Sequence, residues 1–183
     1  MLQRRGFIGM ALAALTLSAR PGLAAGQTLP EGLTFPSIDG GTYRMDDWRG
    51  RPILVVNTAS RCGFTPQYDD LQALHETYGP RGLVVLAVPS DDFRQELDDA
   101  AAVKDFCEVN FGLTLPMTDI LPVKGPGAHP FYRWMDKAHG FTPGWNFNKV
   151  LIAPSGAVAG TWGSMPKPMG RAIRGRIEAL LSA

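Results

Sequence analysis

Two short runs, Ile53–Asn57 and Leu83–Val88, are apolar at almost every position, and between them Tyr68, Leu71, Leu74, His75 and Tyr78 recur at helical spacing. A short run without polar alternation is a strand buried on both faces. Gly79-Pro80 stops the helix between the runs. The unit is therefore βαβ, and the right-handed crossover rule makes its strands parallel. Ahead of it, Gly40-Gly41 separates two short segments, Leu33–Ile38 and Thr42–Met45, as a turn would. After it, the spacing predicts helices over Leu97–Val109 and His129–Ala138. A hairpin is expected from Lys149–Ala153 and Ala157–Trp162 around Pro154-Ser155-Gly156, then an amphipathic helix over Gly170–Leu181. This order gives an α/β fold, a mixed sheet with helices on both faces.

The first 25 residues differ from the rest. Arg4 and Arg5 precede an apolar stretch from Phe7 to Ala19, and small residues follow to Leu23-Ala24-Ala25. That is the layout of a secretory signal. The stretch is shorter than the roughly 20 residues that span a bilayer. An N-terminal anchor or a buried helix is the alternative. Arg4-Arg5-Gly6-Phe7-Ile8 also resembles a twin-arginine export signal. Residues 1–25 are thus read as a signal peptide, 26–35 as a linker and 36–183 as the folded domain, with a periplasmic location expected. The formal charge of +1 falls to −2 without the three arginines of the leader. A weakly acidic domain has no electrostatic reason to hold nucleic acid or anionic lipid. No stable membrane insertion is expected.

Cys62 is one of two cysteines and lies where the first strand of the unit ends and its helix is about to begin. Open α/β sheets place their ligands at this end of the strands. Unpaired N–H groups at a helix start favour the thiolate, the reactive form of the side chain. A buried core cysteine is the bland alternative, but Ser60, Arg61 and Thr65 are polar and Gly63 lets a partner approach. Thr65 stands where a C-x-x-C centre would have its second cysteine, so ordinary dithiol exchange is not expected. Cys107, on the helix after the second strand, could form a structural disulfide with Cys62 in an exported protein.

The stretch NTASRCGFTPQYDDLQAL, Asn57–Leu74, closely resembles the signature of glutathione peroxidases. VVLAVPSDDFRQE resembles the second motif of that family, and AHPFYRWM, GWNFNKVLI, PSGAV and PKP follow in the family's order. The resemblance runs from about Leu33 to Leu181 and implies a thioredoxin-like fold and reduction of hydrogen peroxide and of organic or lipid hydroperoxides. It implies that Cys62 is the peroxidatic residue and that Gln95, Trp145 and Asn146 complete a catalytic tetrad with it. Neutral N–H donors of this kind stabilise a thiolate while leaving it nucleophilic, and they can supply a proton to the departing oxygen. Taken singly, Trp145 is a core aromatic, Asn146 a turn residue and Gln95 a solvated helix residue. One residue, Arg94, separates Phe93 from Gln95, where the family usually has two, a glycine among them. The family's usual cysteine in this loop is Ser90 here. Cys107, in KDFCEVNFG, resembles the resolving cysteine of non-selenium members. The implied cycle runs from a Cys62 sulfenic acid to a Cys62–Cys107 disulfide that a thioredoxin-like protein, or glutathione, reduces. The chain lacks the insertion before the WNF motif that tetrameric relatives carry, which implies a monomer with an open site.

Three other functions remain in view from the residues: a thioredoxin-class thiol–disulfide oxidoreductase, a peroxide-sensing redox protein, and a domain with only a structural disulfide. His75, His129 and His139 lack metal-ligand spacing, and His129, before Pro130, reads as a helix cap. Gly125-Pro126-Gly127 is a turn, and Asp91-Asp92 and Asp98-Asp99 read as helix-start or solvated charges. No metal, haem, flavin or nucleotide motif is visible. The export reading makes a direct prediction: replacing Arg4 and Arg5 with lysine should leave the protein in the cytoplasmic fraction of fractionated cells. Normal periplasmic delivery would overturn the twin-arginine route.

Overall fold

The computed structural model describes residues 27–182. The leader expected over 1–25 lies outside them. An antiparallel hairpin of β1 (Thr34–Pro36) and β2 (Thr42–Arg44) leads through a short 3-10 turn into β3 (Ile53–Thr58). Then come α1 (Gln67–Tyr78), β4 (Val84–Pro89), α2 (Ala100–Phe111), α3 (Pro130–His139), β5 (Lys149–Ile152), β6 (Val158–Trp162) and α4 (Arg171–Leu181). The main sheet has the order β4-β3-β5-β6. β3 and β4 are parallel, with Ile53 opposite Val84, and β5 returns antiparallel to β3. The βαβ unit and the closing hairpin read from the sequence are thus present.

Every residue of β3 and β4 is buried. Alternation sends Leu54 and Val56 to one face, where they join Leu71, Leu74, Ile173 and Ile177 of α1 and α4. It sends Ile53 and Val55 to the other, against Phe35, Phe131 and Met135 of β1 and α3. Cys62 and Cys107 both lie in the first cluster. Among the described residues no helix is long and apolar enough to cross a membrane, and no group of three or more His, Cys, Asp and Glu comes together as a metal site.

Three boundaries differ from the sequence reading. The stretch 26–35, read as a linker, is packed where it is described: Thr28 bridges to Ala157, Leu29 N–H donates to Gly156 O at 2.8 Å, and Leu29 and Leu33 are buried. Its apolar side chains complete the core under β1. The helix expected from Leu97 begins at Ala100, because Asp99 takes an extended conformation and its Oδ1 accepts from Ala102 N–H at 2.8 Å. It continues to Phe111, where Gly112 closes it at φ 59°. His129 caps α3 as expected, its Nδ1 accepting from Phe131 N–H at 3.3 Å while Nε2 meets Thr34 O at 2.8 Å.

A polar post stands inside this core. Lys149, first in β5, is fully buried, and its Nζ donates to Gln67 Oε1 at 2.6 Å, Pro166 O at 2.8 Å and Ser164 O at 2.9 Å. The amine ties the start of α1 to the loop after β6. Burial pushes its pKa down to about 8 from 10.5, and Asp70 opposes the shift. The unfolded chain therefore binds this proton more tightly than the native one, so stability gains as pH rises through the window between the two values. Relative to Lys149→Met, the wild type should become more stable from pH 8 toward 10.5, as measured by urea unfolding. A constant difference between the two proteins would refute this.

Candidate active site

The last residue but one of β3 is Asn57, a polar residue near the end of a largely apolar strand, and every polar atom of it is used. Its backbone O accepts from Phe147 N–H at 2.6 Å and its N–H donates to Asn148 O at 3.3 Å. Its side-chain Oδ1 accepts from Asn148 N–H at 3.0 Å, and Nδ2 donates to Trp145 O at 3.0 Å. The segment 145–148 is thereby clamped to the carboxyl end of β3. Ser164 Oγ adds a bond to Asn146 O at 2.6 Å.

Beyond β3 the chain turns through 59–66 before α1 starts. Cys62 therefore precedes the helix proper by five residues, and the direct donor to its sulfur is a turn amide: Phe64 N–H meets Cys62 Sγ at 3.4 Å. Thr65 holds this turn. Its Oγ1 accepts from Cys62 N–H at 3.0 Å and donates to Ala59 O at 2.8 Å. The threonine in place of a second redox cysteine is thus a structural pin. Cys62 is only 7% exposed, while the Cβ position of Gly63 faces open space.

Gln95 arrives from the loop after β4. Arg61 N–H donates to Gln95 O at 2.8 Å, which sets the loop against the residue next to Cys62. Asn146 Nδ2 donates to Gln95 Oε1 at 3.0 Å. The structure therefore joins Gln95, Asn146 and the Cys62 turn across three chain segments. The short Phe93-Arg94-Gln95 link is made possible by Arg94, which adopts φ 56°, and its N–H closes on Asp91 O at 2.8 Å. Phe147, φ 59°, is the other non-glycine residue in the left-handed region among those described. Both flank a proposed site residue, and strain of about 1–3 kcal/mol per residue is held where surrounding bonds enforce it.

Trp145 is no core aromatic. It is 41% exposed and its ring leans on Phe93 at 5.3 Å between centroids. Asp91 and Asp92, read as solvated or helix-start charges, instead brace the Gln95 loop: Asp91 Oδ1 accepts from Glu96 N–H at 3.1 Å, and Asp92 Oδ2 from Val123 and Lys124 N–H. Glu96 is buried. Its Oε1 accepts from Ser60 N–H and Leu97 N–H, both at 2.9 Å, and burial raises its pKa.

Cys107 stands apart, on α2 in the core at 1% exposure. Both cysteines are free thiols. Burial pushes the Cys107 thiol up to about 12, against a lowering contribution from Tyr68. Asn57, Thr65, Glu96 and Lys149 were not singled out as functional residues from sequence. The signal for Asn57 and Lys149 was there, since each is polar inside an apolar strand and must have found partners.

The glutathione peroxidase family model matches residues 32–136. The chain belongs to the glutathione peroxidase family. As a member it is a thiol peroxidase, an oxidoreductase that reduces hydroperoxides. A hydroperoxy fatty acid reductase of Synechocystis is 38% identical over 164 residues, 82% of this chain and 94% of that protein. A glutathione peroxidase-like peroxiredoxin of Chlamydomonas reinhardtii is 38% identical over 157 residues, 83% and 96% of the two chains. Among solved structures, T. cruzi GPX1 superposes with TM-score 0.63 at 28% identity, over 82% of this chain and 95% of that one. The glutathione peroxidase fold here is thioredoxin-like, as its neighbours also show.

The Asn57 clamp is testable. Asn57→Ala strips the acceptor from Asn148 N–H and one donor from Trp145 O, which should destabilise the protein by about 2–3 kcal/mol. The same change should slow peroxide consumption about tenfold by loosening Trp145 and Asn146. Urea unfolding and peroxide consumption measure the two effects.

Proposed function

We propose that Cys62 is the peroxidatic residue and that Gln95, Trp145 and Asn146 assist it. The observation that carries this is the bonded path from the Cys62 turn through Arg61 to Gln95 and on to Asn146. The Cys62 thiolate attacks one peroxide oxygen, the O–O bond breaks, and the other oxygen leaves as water or alcohol. The amides of Gln95 and Asn146 and the Trp145 indole are neutral donors toward those oxygens. The product is a Cys62 sulfenic acid.

Bulky hydroperoxides suit the surroundings. A cleft of about 300 Å³ next to the Cys62 turn is lined by Gly63, Phe64, Pro66, Gln67, Asp70, Met165 and Lys167, with Met165 largely exposed. Phe64 and Met165 offer apolar contact to an acyl chain. The cyanobacterial relative's activity on fatty acid hydroperoxides supports the same reading.

Cys107 is assigned as the resolving thiol, and a thioredoxin-like dithiol protein as the reductant of the resulting disulfide. The peroxiredoxin-like relatives support a protein thiol donor. The signal-like pattern over residues 1–25 supports a periplasmic location for the enzyme and that donor, and the absence of the long insertion before Trp145 supports a monomer. Cys107 begins inside the core, and a disulfide requires a Cα separation of about 4.4–6.8 Å, so local opening of its helix turn is part of the proposed cycle.

Cys62→Ser should abolish peroxide consumption in stopped flow. Cys107→Ser should keep the single-turnover burst, lose steady-state activity with a dithiol protein donor, and be inactivated at high peroxide by over-oxidation of Cys62. Wild-type turnover in Cys107→Ser would favour a one-cysteine cycle reduced by glutathione.

A further inference from the structure

A second cleft, of about 260 Å³, lies between α3 and the loop before it, with Lys124, Tyr132, Arg133, Asp136 and Lys137 in its walls. Its charge is one-sided. Three cations share it with one carboxylate, and Asp136 Oδ1 already accepts from the Thr142 hydroxyl at 2.8 Å. None of the three cations is in an ion pair among the described residues. Arg133 Nη1 donates to Ala128 O, which occupies one donor of the guanidinium fork and leaves others over. Tyr132 is 3% exposed, and its hydroxyl has no partner among the described residues. Burial raises the pKa of that phenol, so it stays a donor without an acceptor in the cleft wall. The whole chain carries a formal charge of only +1, so this gathering of cations is local. A concave surface of one sign concentrates counter-ions.

Two ring contacts connect this α3 cleft to Trp145. Lys124 Nζ lies over the Phe93 ring at 4.2 Å from its centroid, and Phe93 packs on Trp145 at 5.3 Å between centroids. The backbone fixes the arrangement, because Lys124 N–H donates at 3.0 Å to Oδ2 of Asp92, the neighbour of Phe93 in the chain. An ammonium over a ring keeps N–H donors on its outer side. The cleft next to the Cys62 turn differs in charge: it has Lys167 and Asp70, one of each sign, beside the apolar Phe64 and Met165. A carboxylate is therefore favoured in the α3 cleft and an uncharged chain in the other.

We propose that the α3 cleft binds the carboxylate of a fatty acid hydroperoxide, with Lys124 as the specificity-determining cation beside the Phe93–Trp145 pair. This rests on the reading of Trp145 as a site residue and of bulky hydroperoxides as substrates. A mid-chain hydroperoxide divides its acyl chain into two arms. With the O–O group at Cys62, the arm that bears the carboxylate runs over Trp145 and Phe93 to Lys124, and Arg133 and Lys137 add to the field that holds the anion. The arm that ends in a methyl group lies on Phe64 and Met165. Trp145, 41% exposed, supplies apolar surface for the first arm. Binding changes no bond, and the chemistry at Cys62 is the same for an acid and for its ester.

The test compares an anionic hydroperoxide with its neutral twin. Reduced full-length protein is mixed in stopped flow with a linoleic acid hydroperoxide below its micelle concentration, with the methyl ester of that hydroperoxide, or with hydrogen peroxide. The second-order rate of a single turnover is followed as hydroperoxide consumed. No reductant is present, so a carboxylate belonging to a thiol donor plays no part. At low salt the wild type should react about tenfold faster with the acid than with the ester, the scale of one charge-assisted contact. That preference should fade as salt rises toward about 1 M. Lys124→Gln should bring the acid-to-ester ratio close to unity, and Lys137→Gln should lower it about threefold, a smaller share of the same screened field. Equal rates for acid and ester in the wild type, or an unchanged ratio in both variants, would overturn the subsite. So would an equal loss on all three substrates in Lys124→Gln, which would make this residue a brace of the Gln95 loop and no more. Loss of the ratio in Lys167→Gln instead would put the carboxylate in the cleft next to the Cys62 turn and overturn the assignment. A wild type that consumes hydrogen peroxide and neither fatty hydroperoxide would sink the bulky-substrate reading itself, and the subsite with it.

Discussion

Asn57 uses its backbone N–H and O and both side-chain polar atoms on the segment 145–148. A polar residue in a strand buried on both faces survives only with all its bonds made, and here those bonds lock the last strands of the fold to the end of the first parallel one. The clamp forces Phe147 into the left-handed region at φ 59° and buries it against Tyr68. Trp145 is left facing outward and Asn146 inward, toward Gln95. Lys149 and Ser164 brace the same segment from its other side. The site thus stands on rigid sheet, with only the Gln95 loop and the Cys62 turn added to it.

The two cysteines meet opposite demands. Cys62 sits in a turn whose Phe64 amide points at its sulfur and whose Gly63 leaves open space outside. Cys107 is sealed on α2, where charge is expensive. A thiol kept neutral in the core is protected from stray oxidation.

Family membership and local departure coexist in the Gln95 loop. The link from Phe93 to Gln95, read from the sequence as one residue shorter than the family resemblance implies, has Arg94 in the left-handed conformation that a glycine would take without strain. Asp91 and Asp92 stabilise the shortened loop through amides of Glu96, Val123 and Lys124. The result still presents the Gln95 amide oxygen to Asn146.

The βαβ unit, the closing hairpin and the place of Cys62 at a strand end were all legible in the chain, because continuous apolar runs and helical spacing report burial over a few neighbouring residues. His129 as a cap was legible for the same local reason. One helix start was less so: Asp99 delays α2 through cap geometry that periodicity does not carry. The packing of 27–35, the bracing by Asp91 and Asp92, and the exposure of Trp145 were not legible at all. Each depends on contacts between segments distant in the chain, such as the Asn146–Gln95 bond across 51 positions. The sequence by itself determined which residues could be buried, which could turn, and which sulfur lay at a strand end. Only the tertiary structure decided which polar groups meet, because a hydrogen bond between remote segments is set by how the sheet closes and not by any pattern within either segment.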